Sequence, residues 1–314
     1  MSETTQQLPS TLDAPRNPTL VKVGWFCLGL FSLLFFTILK IPEQKIKIYV
    51  ENTLINTLAQ YGYTLSTIES QFSLLFLTYS LKGVTLQGPP PAPLARADRI
   101  DVSPSLFSLL TGKSGGNFTI YQESGILKGS VAVSHSRFSL SYQAKKFDIG
   151  KVKLLPMTAG ILGGGILNGN GSIQGEFNSP SSWEGDLLID LEKIQIEPQS
   201  IVGFSVPRIS ISEGTTQIVF EKGKANVKVL RMGKLDNLAD DLRGSLAGDL
   251  VLGKTWDLST LNLKTDFTFS DNILKAFVLL ESLLGPGKHP DGKYHFAITG
   301  SVQGPIYTPV ALTK

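Results

Sequence analysis

The chain has one cysteine, Cys27, so it can build neither an intrachain disulfide framework nor a cysteine-based zinc site. Three histidines leave little material for a histidine metal centre. No sign of charge dominates: 29 Lys and Arg against 26 Asp and Glu leave +3, too balanced for a nucleic-acid binder that works by neutralising phosphates. Charge of either sign is itself scarce, 18% of residues against roughly 25% in an average soluble domain. With 42% hydrophobic residues, this is not the composition of a disordered chain. What is plentiful is glycine, 31, alongside 17 prolines, without a collagen period, as expected of many turns between short strands. At 314 residues there is room for one or two domains.

Residues 23–39 read VGWFCLGLFSLLFFTIL, uncharged throughout and bracketed by Lys22 and Lys40. As a helix the stretch spans about 25 Å, the short end of what crosses a bilayer, and the two lysines can snorkel outward. Val23, Trp25, Phe26, Leu30, Leu34 and Leu39 are the expected membrane-facing residues, with Trp25 near one interface. A cleaved signal peptide should end in a small-x-small site, and Lys40, Ile41, Pro42 and Glu43 offer none. A buried soluble helix should show a polar face, and only Ser32 and Thr37 are polar. The expectation is an uncleaved single-pass anchor over residues 21–41, preceded by a disordered Ser/Thr/Gln/Pro-rich tail over residues 1–20. Arg16 and Lys22 on one flank and Lys40, Lys45 and Lys47 on the other do not fix its orientation.

Residues 42–62 have the pattern of an amphipathic helix: Pro42 at its start, Ile46, Val50, Leu54 and Leu58 at every fourth position, Gly62 as C-cap. From residue 63 to 314 the period becomes two. Leu187, Ile189 and Leu191 alternate with polar neighbours, as do Leu261, Leu263, Thr265, Phe267 and Phe269, and Tyr294, Phe296 and Ile298. Ile209 with Ile211 and Val227 with Val229 repeat it. Such alternation predicts antiparallel strands with one apolar and one wetted face, hence a mainly β domain. Two interruptions look helical: residues 154–162, and residues 271–284 with Asp271 as N-cap and Gly285 as stop.

A glycine pentad, Gly-x-apolar-x-Gly, recurs at Gly125–Gly129, Gly171–Gly175, Gly244–Gly248 and Gly300–Gly304. Its glycines share a face with the residue between them and leave that face bare, as a strand start, a sheet bend or a close backbone approach requires. Residues 248–255, GDLVLGKT, match the P-loop pattern, but the stretch alternates like a strand and no helix pattern follows, so nucleotide binding is not expected. His289, Asp291 and His295 cluster around a Pro/Gly turn with no further ligand and read as a solvated loop. No G-x-S-x-G elbow is present. The expectation is therefore a protein that is not an enzyme and takes no metal or cofactor.

Several stretches carry a resemblance. LKGVTL (81–86) followed by ADRIDVSPSLFSLL (97–110), GNGSIQGEF (169–177), WEGDLLIDLEKIQI (183–196) and the terminal FAITGSVQGPIYTP (296–309) are similar to the type II secretion system protein N (GspN) family. They also resemble the wider AsmA-like group of bacterial envelope proteins. The resemblance covers roughly residues 20–312 and implies a twisted AsmA-like sheet in the periplasm, anchored in the inner membrane with its N-terminus in the cytoplasm. It implies contacts with other secretion-system proteins of the inner membrane and periplasm, and no catalytic residues. A second function fits the same pattern: an apolar sheet face that forms a trough for lipid. Neither function involves nucleic acid or nucleotide.

Overall fold

The computed structural model describes residues 28–29, 32, 43–73, 77–88, 94–105, 114–153, 155–156, 160–201, 204–234 and 236–311. The chain divides into two units, residues 1–46 and residues 47–314, and the β structure lies wholly in the second.

Helix α1, Glu43–Gln60, ends where sequence places its stop. Gly62 turns left-handed at φ 77°, and the Tyr63 N–H reaches back to the Leu58 carbonyl at 2.9 Å, a Schellman closure. The strands then follow in order: β1 Thr64–Ser66, β2 Glu69–Ser73, β3 Thr78–Gln87, β4 Leu94–Pro104, β5 Ser114–Gln122, β6 Gly125–Ser134, β7 Arg137–Asp148, β8 Gly163–Glu176 and β9 Ser179–Ile196. After them come β10 Gln199–Ile201, β11 Phe204–Val206, β12 Ile209–Glu221, β13 Lys224–Met232, β14 Leu242–Val251, β15 Thr260–Phe269, β16 Tyr294–Ser301 and β17 Pro305–Pro309. Two short helices, α2 Asp271–Ala276 and α3 Val278–Leu284, separate β15 from β16.

Among the described residues, fifteen of these strands form one sheet, every pairing antiparallel. From β3 to β9 and from β12 to β17 each strand pairs with its successor, and β12 takes its place beside β9 after the separate β10–β11 hairpin. β1 and β2 share the outer edge of β3. Short turns such as Glu123–Gly125 and His135–Arg137 suit this sequential pairing, since antiparallel neighbours need only a tight reversal.

Local readings need adjustment where side-chain bonding or a bulge intervenes. The N-cap of α2 is Ser270, one residue before Asp271, because the Ser270 hydroxyl accepts the Ile273 N–H at 3.4 Å. The predicted single helix breaks at Phe277, whose ψ of 72° leaves the helical region. A bulge between Val227 and Leu230 takes Val229 out of step with Val227 and puts Leu230 on the face that Val227 occupies. Residues 248–255 run along β14 into a turn and a 3₁₀ turn, Trp256–Leu258, with β15 following. Of the expected helix over 154–162, Leu155 and Pro156 are helical, Gly160–Leu162 are not, and 154 and 157–159 lie outside the described residues, as do 106–110.

Among the described residues no helix is long and apolar enough to cross a membrane. The expected anchor residues Val23, Trp25, Phe26, Leu30, Leu34 and Leu39 lie outside the described residues.

Candidate functional site

Residues paired across antiparallel strands share a face of the sheet. One row can be followed through twelve strands: Val102, Phe118, Gly129, Tyr142, Gly171 and Leu187 in β4–β9, then Ile218, Val227, Gly248, Leu263, Ile298 and Tyr307 in β12–β17. No member is charged, and the one hydroxyl of its interior strands, on Tyr142, is bonded to a backbone carbonyl. A flanking row runs Leu127, Ala144, Gly169, Ile189, Thr216, Leu230, Leu246, Thr265 and Phe296, and another runs Val131, Leu140, Ile173, Gly185, Phe220, Ala225, Leu250, Leu261 and Gly300. All nine residues expected on the apolar face, Leu187, Ile189, Leu191, Leu261, Leu263, Phe267, Phe269, Phe296 and Ile298, are thus on the same side of one sheet. The intervening row on the other side reads Ser130, Ser141, Ser172, Asp186, Val219, Asn226, Asp249, Asn262 and Thr299. Its members bond one another, Ser130 to Ser141 at 2.7 Å and Asn226 to Asp249 at 2.6 Å.

All the repeat glycines but Gly304 lie within this apolar face. Only Gly125 opens a strand; a side chain there would run into the Lys146 backbone carbonyl. Gly129 leaves space for the Phe118 ring, Gly175 for Trp183, and Gly244 for the backbone at Asp266 and Phe267. Gly171 is flanked by Tyr142, whose hydroxyl crosses β8 to donate to the Leu188 carbonyl on β9 at 2.8 Å. Burial raises the Tyr142 pKa, and the carboxylates of Asp190 and Asp186 raise it further. Gly248 and Gly300 have φ of 138° and 90°, backbone that disfavours any side chain, while Gly304 sits in the turn before β17, where a β-carbon would meet only the Ser301 hydroxyl at an ordinary 3.6 Å.

The face is covered in patches. Val50 and Leu54 of α1 pack on Tyr79 and Leu81 of β3. Val152 and Leu155, after β7, pack on Ala144 and Phe147. Leu252, after β14, joins Ile173, Phe220 and Ala225. Ile273 is buried where α2 meets β15, yet α3 turns Leu279 and Leu283 outward, 72% and 74% exposed. Elsewhere Val227, Leu263 and Phe296 are buried on the face, whereas Val102 is 44% exposed, Val131 39% and Leu140 37%. Among the described residues the only other sheet is the two-stranded β10–β11 hairpin.

Sequence alternation found the β9 and β15–β16 portions of this face and missed β4–β8. There glycine and serine dilute the pattern, and the signal that could have found it is the pentad itself, since Gly129 and Gly171 mark the positions flanking Tyr142. The histidine cluster is a close, tilted pair, His289 and His295, ring centroids 4.2 Å apart, with His295 bonded to Asp291 at 3.0 Å and His289 to the Val310 carbonyl at 2.8 Å. Among the described residues no three His, Cys, Asp or Glu side chains are placed to hold a metal ion.

Fold and site together define a class: a single-layer antiparallel sheet, polar on one side, with an apolar and partly uncovered face on the other. No protein-family model, no curated protein and no solved structure matches the chain.

Proposed function

We propose that this is a membrane-tethered, non-catalytic envelope protein of the AsmA-like kind that holds lipid acyl chains along the apolar face of its sheet. The observation that carries the reading is the uninterrupted neutral row from Val102 to Tyr307, flanked by two more and left open at Val131 and Leu140. Val131 and Leu140 are exposed side by side across β6 and β7, and contiguous exposed apolar patches mark sites of interaction. Each methylene of a bound chain removed from water is worth about 0.8 kcal/mol, so ten give about 8 kcal/mol before ordering costs. The anchor expected over residues 21–41 places the sheet beside a source of such chains, with the N-terminus in the cytoplasm and the bulk in the periplasm.

The test uses the full chain purified in detergent and exchanged into buffer. Organic extracts should contain phospholipid by mass spectrometry. The pair V131E and L140E, at exposed positions facing each other across β6 and β7, should abolish it. The matched pair S130E and S141E, on the other side of the same strands, should not. Lipid-free wild-type extracts would sink the proposal.

A second reading, an accessory role in type II secretion through protein contacts, is favoured by the outer edge of the sheet. There β17 exposes Ile306 and Tyr307, and an edge strand is ready to take another strand. Under that reading deletion leaves secreted proteins stranded in the periplasm; unchanged secretion argues against it.

A further inference from the structure

The β5–β6 hairpin stops short at Gln122 and Gly125, so the strands on either side meet beyond it. The Gln122 amide bridges both backbone groups of Asp148 at 2.8 and 2.9 Å, and the Arg96 N–H of β4 reaches the Lys151 carbonyl at 3.1 Å. A cavity of about 1080 Å³ opens at this point, walled by the start of β4, the β7–β8 connection and the adjoining ends of β8 and β9. None of its lining residues belongs to the apolar rows.

Its charges are unequally used. Asp148 spends Oδ1 on the Gly150 and Lys151 N–H groups at 2.9 and 3.1 Å, and Glu197 pairs with Arg208 at 2.9 Å. Lys151 pairs with Glu123 at 3.4 Å. Among the described residues this leaves Arg96, Lys153 and Lys193 in the wall without a carboxylate partner, against two carboxylates without a cationic one, Asp98 and Asp148. The three cations come from three separate elements and line the same cavity.

Lys153 and Lys193 have φ of 53° and 52°, the left-handed region where a side chain costs about 1 kcal/mol or more relative to glycine, as do Lys146 and Lys222 outside the cavity.

We propose that this cavity binds a phosphate group, held by Arg96, Lys153 and Lys193. A planar guanidinium supplies paired N–H donors for a tetrahedral oxyanion, and two ammonium groups balance its remaining charge. The phosphate can come from a soluble phosphorylated molecule or from a lipid headgroup. The site does not rest on the acyl-chain reading, and lipid capture by the V131E and L140E pair reports on that reading separately.

The test titrates the full chain in detergent with inorganic phosphate and glycerol 3-phosphate for a soluble source, and with phosphatidic acid in phosphatidylcholine vesicles for a headgroup. Saturable binding of at least one probe is expected, about tenfold weaker in R96Q and in the K153G and K193G pair. Because glycine relieves the left-handed backbone, the K153G and K193G pair should keep or raise the thermal midpoint, which separates lost binding from lost folding. K146G, at φ 49° outside the cavity, should leave binding unchanged. No saturable binding of any probe, or binding that survives all three substitutions, overturns the proposal.

Discussion

A β-carbon added at Gly244 would meet the Asp266 carbonyl oxygen, and backbone cannot swing aside as a side chain can. Gly244→Ala should therefore cost about 1–3 kcal/mol in urea denaturation, whereas Gly304→Ala, whose β-carbon would make only an ordinary contact with Ser301, should stay within about 0.5 kcal/mol. The spacing of these glycines was legible in the chain; the group each one accommodates was not, because that depends on strand register, which a single strand's pattern does not carry. Asp240 is likewise invisible from sequence. It is buried, accepts from the Ser212 hydroxyl and N–H at 2.7 Å each and from the Lys234 N–H at 2.8 Å, and ties the loop after β13 to β12. Burial alone would raise its pKa; those donors outweigh it, with help from Arg243, and hold the carboxyl below the usual range. A depressed carboxyl stabilises the fold above the unfolded-state value near 3.9 and loses that contribution as pH falls through its folded value. Asp240→Asn should cost about 3 kcal/mol at pH 7 and flatten the acid limb of a stability-against-pH curve.

Elements follow the same division. α1 was legible from four apolar residues at a spacing of four and a terminal glycine, because a helix on a sheet edge needs only one stripe. β9 and β15 were legible because their apolar residues recur at every second position, Leu187, Ile189 and Leu191 in one and Leu261, Leu263, Phe267 and Phe269 in the other, with Thr265 the single gap. The break at Phe277 and the bulge after Val227 were not, since neither Pro nor Gly marks them. Ser270 does double duty as the α2 cap and as donor to the Asp241 carboxylate at 2.6 Å. Ser270→Ala should accordingly lower stability by about 1–2 kcal/mol, read from the thermal midpoint, and Ser270→Asp should fail to rescue it because it sets a second carboxylate against Asp241.

For the molecule as a whole, alternation in sequence announces a one-sided sheet, but whether anything closes over the greasy side is decided by which segments fold back. α1, the stretch after β7 and the stretch after β14 do so, and the middle stays open. That arrangement predicts that V131E and L140E together leave the unfolding midpoint within about 1 kcal/mol of wild type, as surface changes do, while a core test such as Phe147→Ala costs about 3–5 kcal/mol; parallel urea titrations of both check this.

Because successive strands pair in order and each brings its own Gly, aromatic or aliphatic contribution to the shared row, the architecture is modular. A hairpin duplicated or deleted between β5 and β8 would lengthen or shorten the greasy track by about 10 Å without rewriting the register of the rest. Chains built on this plan can therefore be tuned to the distance they must bridge by copying hairpins, the way a ladder is extended by adding rungs.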